Sequence, residues 1–265
     1  AGPGQVRIRN YAAAVNPTDV VARNGMLAEM QKKNPPPYVP GMDAAGIVDQ
    51  VGENVTTGVK VGDRVMAMVV PRAAHGAYRE QIVLDQRAVV PAPAGSSHVE
   101  ACTLPMNALT ARMSLDLLDL KPGQVIAVTG GPGAYGGYVI QLAKADGLKV
   151  IADGADSDRV LLQSLGADIV VNRGDGFADK IREHFPQGVD GLADGALLNA
   201  LAVDAVKDGG SFTAIRGFKG KDQRDIKFTA TWVTGYDGAY EKLDLLREQV
   251  EAGIILESKP STSNV

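Results

Sequence analysis

The chain of 265 residues has one cysteine, Cys102, and one tryptophan, Trp232. A lone cysteine excludes an internal disulfide and any structural zinc site built on cysteines. It fits a reducing compartment, and a cytoplasmic location is the expectation. No apolar run approaches the roughly 20 residues that a membrane-spanning helix requires. No signal-peptide pattern is present either. Basic charge is not in excess, with 27 Lys and Arg against 31 Asp and Glu for a net charge of −4. These charges are spread along the chain, whereas a nucleic-acid surface needs clustered basic residues. Neither a nucleic acid nor a membrane is therefore expected as a partner. His75, His98 and His184 show no ligand spacing and read as ordinary loop or helix histidines. Aromatic residues make up only 5%. Together with plentiful alanine and glycine, that suits close helix–sheet packing and names no activity.

What the chain does have is glycine in a telling place. Val125 to Thr129 is a short apolar run, fit for a buried parallel strand. Gly130, Gly133 and Gly136 follow in a G-x-x-G-x-x-G pattern. Tyr135, Tyr138, Val139 and Leu142 then recur at helical spacing, Gly147 sits where a helix would end, and Leu148 to Ala152 is the next apolar run. Strand, glycine turn, helix and strand in this order make a phosphate site. The glycines allow close backbone approach, and the helix N-terminus offers N–H groups and a positive dipole end. The framing strands and helix make the pattern far more specific than the glycines alone.

The rest of the chain falls into two styles. Residues 1–105 are rich in strands and turns, with strands expected at Val6–Arg9, Gly46–Val51 and Arg64–Val69. Pro35-Pro36-Pro37 cannot be helix interior or central strand. A helical stretch from about His98 to Leu120 is expected to break near Pro105. From Lys121 on, strands and helices alternate. Helices are expected over 158–165, 177–185, 197–206 and 239–251, and strands over 169–171, 190–193 and 211–215. Asp156 or Ser157 is the expected N-cap of the 158–165 helix. The fold class is therefore α/β, with a doubly wound parallel sheet after a β-rich domain.

Several motifs, in order, carry a wider resemblance. They are Ala14-Val15-Asn16-Pro17-Thr18-Asp19, Pro40-Gly41-Met42-Asp43-Ala44-Ala45-Gly46, Val61-Gly62-Asp63-Arg64-Val65, Leu109-Thr110-Ala111, the glycine turn, and Ser164-Leu165-Gly166-Ala167-Asp168. Together they resemble the medium-chain dehydrogenase/reductase superfamily, in its zinc-independent quinone oxidoreductase and enoyl reductase branch. The resemblance implies a GroES-like substrate domain over 1–105, lacking its first strands, and a Rossmann domain over 106–253. It implies hydride transfer, with the nicotinamide in the cleft between the domains, and a homodimer paired through the edge of the Rossmann sheet. Residues 254–265 are expected to be a truncated return segment whose first strand begins at Ile254.

Zinc-dependent relatives place cysteine, histidine and cysteine at or near the positions of Asn16, Met42 and Met106. Amide and thioether groups are poor replacements for thiolate and imidazole, so no zinc is expected. Asn16 and Thr110 match the residues that lie beside nicotinamide and substrate in similar reductases, and they are the expected catalytic residues. A turn-former before Pro17 and a helix-packing hydroxyl are their plainer readings. Val21 and Leu27 stand where many relatives carry tyrosine, so no proton donor is identified. Arg112 and Arg216 are weak candidates for a substrate contact; Arg112 is equally readable as a solvated helix arginine.

Thr129, Gly130, Gly133, Ala134, Tyr135 and Gly136 are expected to form the dinucleotide turn. Ile215 and Gly217 should offer backbone groups to the carboxamide. Asp153, near the end of the second strand, would favour NAD by accepting ribose hydroxyls. Arg159 and Arg173 align with residues that bind the 2′-phosphate of NADP, and family habit tips the expectation to NADP(H). The implied activity is NAD(P)H-dependent hydride transfer to a quinone, enone or similar conjugated carbonyl, a small-molecule substrate. A nucleotide-binding member without redox turnover and an acyl-thioester enoyl reductase are the alternatives.

Overall fold

In the computed structural model, which describes residues 1–258, contacts divide the chain into two units. Residues 1–109, 234–253 and 257–258 form one, and residues 110–233 and 254–256 the other. The expected return segment at 254–265 therefore divides, and 259–265 lie outside the described residues.

The first unit is built on an antiparallel sheet of β1 (Gln5–Ala12), β2 (Asp43–Val51), β3 (Arg64–Met68), β4 (Gln81–Asp85) and β5 (Val89–Pro91), in the order β4-β1-β2-β3-β5. Its strands alternate as their sequences dictate. Val6 and Ile8 of β1 are fully buried, while Arg7 and Arg9 face outward. With Val48, Val65, Ala67, Ile82 and Val89 they make one core, and each fully buried branched side chain contributes about 1.5–3 kcal/mol. Between β1 and β2 lie the short helices α1 (Pro17–Arg23) and α2 (Ala28–Gln31). Pro17 opens α1, where its missing N–H costs nothing. The expected break near Pro105 separates α3 (His98–Ala101) from α4 (Pro105–Leu118).

The second unit holds a parallel sheet of β6 (Val125–Thr129), β7 (Lys149–Gly154), β8 (Ile169–Asn172), β9 (Val189–Asp194), β10 (Val206–Ile215) and β11 (Lys227–Thr231). The order is β11-β10-β9-β6-β7-β8. Its helices are α5 (Ala134–Ala145), α6 (Arg159–Ser164) and α7 (Phe177–His184). The chain winds outward from β6 through β7 to β8, then returns to β9 on the other side. The place where the winding reverses, at the C-terminal end of β6, is where ligands bind in sheets of this kind. Phe212 of β10 packs against Phe218 and Phe228 with ring centroids 5.7 and 5.5 Å away.

Three local expectations need correction. Residues 197–206 form 3-10 turns over Asn199–Ala205, not an α-helix. Leu197 and Asn199 have φ of 61° and 53°, which an α-helix cannot contain. The Asp194 carboxylate holds this bend by accepting the Leu198 and Asn199 amides at 3.1 and 2.6 Å. The N-cap residue of α6 is Asp158, not Asp156 or Ser157, and its carboxylate makes no cap bond to the helix but accepts the Ala155 N–H at 2.9 Å across the preceding 3-10 turn. No strand forms at Ile254; instead the Gln141 side chain accepts the Leu256 N–H at 2.7 Å and donates to its carbonyl at 3.3 Å. The last helix, α8 (Tyr240–Glu251), lies within the span expected for the Rossmann domain but clusters with the first unit.

Candidate active site

The glycine turn leaves β6 and enters α5. Gly130 has a φ of 69°, a left-handed conformation suited to glycine. Gly136 lies so close to it that a Cβ there would fall 2.2 Å from the Gly130 carbonyl oxygen. That contact lets the first turn of α5 sit directly against the loop. The N-cap is Gly133, which offers no side-chain acceptor. The amides of Ala134, Tyr135 and Gly136 thus have no helical partner, and Gly133 and Ala134 are exposed beside them. A cradle of glycine backbone with uncapped N–H groups at a positive dipole end fits a pyrophosphate.

The side chains around the turn brace it. Thr129 donates to the Asp194 carboxylate at 2.6 Å and accepts the Ala196 N–H at 3.0 Å. The Tyr135 ring is buried, and its hydroxyl meets the Ser114 hydroxyl at 2.7 Å. Ser114 Oγ also donates to the Thr110 carbonyl at 3.0 Å and lies 3.0 Å from Thr231 Oγ1. Burial raises the Tyr135 phenol far above its ordinary value, so it stays protonated. Only its backbone N–H remains available to a ligand.

Asp153 takes a role other than the ribose ligand suggested by its place in the sequence. It is 3% exposed, and its Oδ1 accepts the Gly130 and Gly131 amides at 2.6 and 3.3 Å. The carboxylate lies beneath the turn and ties β7 to it. Burial raises its pKa, opposed by those two amides. Arg159 and Arg173 are both exposed, and strand pairing brings them to one edge. The Arg173 amide donates to the Gly154 carbonyl at 2.9 Å, and Arg159 opens α6 after β7. The Arg159 guanidinium also donates to the Val170 carbonyl at 3.2 Å, and two acidic residues precede it. Asp158 caps Ala155, and Asp156 lies 3.8 Å from the Arg159 guanidinium. Ile215 ends β10, and the chain turns sharply through Arg216 and Gly217, with φ of 62° and 87°. Arg216 is exposed at this edge. Arg112 is paired with Asp116 at 2.9 Å and Asp146 at 2.8 Å. Those two carboxylates hold it to the helix surface.

In the first unit, Asn16 belongs to a buried polar chain. Its Nδ2 donates to Asp43 Oδ2 at 2.6 Å, and its Oδ1 accepts from Asn107 Nδ2 at 2.9 Å. Its backbone N–H donates to Asp19, whose other oxygen accepts the Gly41 N–H, both at 2.8 Å. Asp43 is fully buried and accepts the Met106 N–H, in the first turn of α4, at 2.6 Å. Burial pushes the Asp43 carboxyl up to about 7, against the pull of the Met106 and Asn16 hydrogen bonds. Thr110 is buried one turn beyond Asn107 on α4. Cys102 is buried and its thiol is pushed up to about 12, so it stays protonated and inert.

Sequence reasoning missed Asp43 and Asn107. Each had a signal. Asp43 is an acid inside an apolar strand, where a carboxylate needs partners. Asn107 precedes Thr110 by three residues, on the same face of a helix that is otherwise apolar there.

Residues 2–94 match the family described as the alcohol dehydrogenase GroES-like domain. The chain is 34% identical over 220 residues to the 2-methylene-furan-3-one reductase of Solanum lycopersicum, covering 80% of this chain and 55% of that protein. It is 32% identical over 220 residues, with the same coverage, to the chloroplastic NADPH-dependent alkenal/one oxidoreductase of Arabidopsis thaliana. A solved structure of an alcohol dehydrogenase superfamily protein from Novosphingobium aromaticivorans superposes with a TM-score of 0.87 at 27% identity, covering 96% of this chain and 81% of that one. The chain belongs to the medium-chain dehydrogenase/reductase superfamily. Its GroES-like sheet and Rossmann-like parallel sheet are the superfamily's two folds. The chain spans about half the length of the curated relatives it matches.

Proposed function

We propose that this protein is a zinc-independent, NADPH-dependent reductase of conjugated carbonyls, acting on an enone, a quinone or a similar small molecule. The observation that carries the reading is the uncapped glycine cradle at the reversal point of the parallel sheet, in a chain whose relatives are named as alkenal and furanone reductases. When bound, NADPH supplies a hydride to the conjugated carbon of the substrate. The chain's residues do the rest. Gly130, Gly133, Ala134, Tyr135 and Gly136 hold the pyrophosphate through backbone N–H groups, with Thr129 and Asp153 fixing the turn. Arg159 and Arg173 take the 2′-phosphate, because both are exposed cations beside the end of β7. Ile215 and Gly217 offer backbone groups to the carboxamide, with Arg216 beside them. Thr110 packs against the nicotinamide, and Asn16 organises the polar groups of the substrate unit.

Zinc has no place in this account because the donor set does not suit it. Met42 and Met106 offer thioethers, and the Asn16 amide is spent on Asp43 and Asn107. Val21 and Leu27 carry no acidic hydrogen, so the proton that completes the reduction is assigned to water. Among the described residues no helix is long and apolar enough to cross a membrane. The reading includes a cytoplasmic setting and a homodimer.

The test is to incubate chelator-treated protein with NADPH and a panel of enones and quinones and follow loss of NADPH absorbance. Turnover is expected with at least one conjugated carbonyl and none with its saturated counterpart. Tight NADPH binding without turnover across the panel would overturn the reading in favour of a nucleotide-binding protein.

A further inference from the structure

The polar chain of the first unit has a direction and an end. Met106 N–H and Asn16 Nδ2 both donate to Asp43, so Asp43 is where the chain terminates inside the protein. Asn16 is 3% exposed, and both heavy atoms of its amide are engaged. Asn107 is the outer member. It is half-buried, and one of its two Nδ2 hydrogens goes to Asn16 at 2.9 Å. The other hydrogen and the Asn107 carbonyl have no partner among the described residues.

The chemistry of the proposed substrate selects which of these matters. A conjugated ketone or quinone presents only acceptor oxygens. Its oxygen gains negative charge as hydride arrives, so a fixed N–H donor there lowers the barrier. Asn16 cannot serve without giving up a buried partner, at the cost of leaving an amide or a carboxylate unsatisfied. Asn107 can serve with every internal bond intact.

We propose that Asn107 is the catalytic residue that donates a hydrogen bond to the substrate carbonyl oxygen, and that Asn16 and Asp43 are positioning residues that hold its amide in place. The inference rests on the reductase reading above and adds the group that polarises the oxygen. It also makes a distinctive statement about Asp43. In Asp43→Asn, the new side chain keeps its oxygen on the Met106 N–H and turns its own N–H toward Asn16. Asn16 and Asn107 then flip, and the chain runs the other way. Asn107 would accept from Asn16 and present both of its N–H groups outward. Either direction leaves a donor for the substrate.

The experiment compares wild type, Asn107→Ala, Asn107→Gln and Asp43→Asn. The readouts are kcat and KM with cyclohexenone, the NADPH dissociation constant, and the infrared carbonyl stretch of heavy-carbon-labelled cyclohexenone bound with NADP+. Asn107→Ala is expected to lose kcat about a hundredfold, the lower range for one lost oxyanion donor. Its NADPH affinity should be unchanged, and its carbonyl stretch should move up towards the value in apolar solvent. Asn107→Gln, which keeps an amide on a longer arm, should recover part of the rate and of the shift. Asp43→Asn should stay within severalfold of wild-type kcat. The assignment falls if Asn107→Ala keeps its kcat within twofold and its carbonyl stretch unmoved, or if Asp43→Asn fails as badly as Asn107→Ala while remaining folded. A wild-type protein that neither binds nor reduces any conjugated carbonyl would instead sink the reductase reading itself.

Discussion

Asp43 makes a quantitative prediction about stability. Its carboxyl is fully buried and is pushed from an ordinary 3.8 up to about 7. Each unit of difference between folded and unfolded states is worth about 1.4 kcal/mol. In the unfolded chain the group ionises near pH 4, while in the folded protein it stays neutral until about pH 7. Over that window the folded state binds more protons, so stability must fall as pH rises. The full penalty is about 4 kcal/mol, developed by about pH 7 and constant above it. Asp43→Asn removes the titrating group while its amide can keep both hydrogen bonds by reversing the chain to Asn16 and Asn107. Urea unfolding of the two proteins between about pH 5 and pH 8 isolates the effect, because every other group is common to both. The variant should gain on wild type by about 2–3 kcal/mol between pH 5 and pH 7 and then hold level. A difference that does not change with pH, or one that favours wild type increasingly as pH rises, would refute the assignment of a costly buried carboxyl.

The cofactor turn makes three further predictions. Gly136→Ala places a Cβ 2.2 Å from the Gly130 oxygen. The usual helical gain of about 1 kcal/mol for alanine should therefore be replaced by destabilisation, with NADPH affinity reduced in fluorescence titrations. Asp153→Ala frees two turn amides and should cost about 1–3 kcal/mol in thermal or urea unfolding. Asp153→Asn, which can keep its oxygen beneath the turn, should be milder, and equal losses in the two variants would contradict the brace. Arg159→Ala and Arg173→Ala should each weaken NADPH about tenfold, the scale of one charge-assisted hydrogen bond, and leave NADH affinity alone. A parallel loss for both nucleotides would remove the 2′-phosphate assignment.

Features governed by local spacing were legible in the chain. The glycine turn could be read because every part of a strand–turn–helix unit lies within about thirty consecutive residues, and the break at Pro105 because proline removes a donor wherever it stands. Features set by distant partners were not. Residues 197–206 have helical composition, but the side chain of Asp194, at the end of the strand expected over 190–193, captures the Leu198 and Asn199 amides and forces another turn. Asp153 reads as a ribose ligand from its distance along the chain, yet one step along a strand turns a side chain to the other face, and here that face is the underside of the turn. Asn16 was found through its motif. Asn107 and Asp43 lie far from it in sequence, and only folding joins the three.

Hydride transfer to a conjugated carbon can be followed directly. Wild-type protein is incubated with cyclohexenone and NADPH carrying deuterium at the ring carbon that donates hydride, and the product is examined by NMR. The expected product is cyclohexanone with one deuterium on the carbon β to the carbonyl. Deuterium on the carbinol carbon of an allylic alcohol would contradict it, as would deuterium retained in the nucleotide.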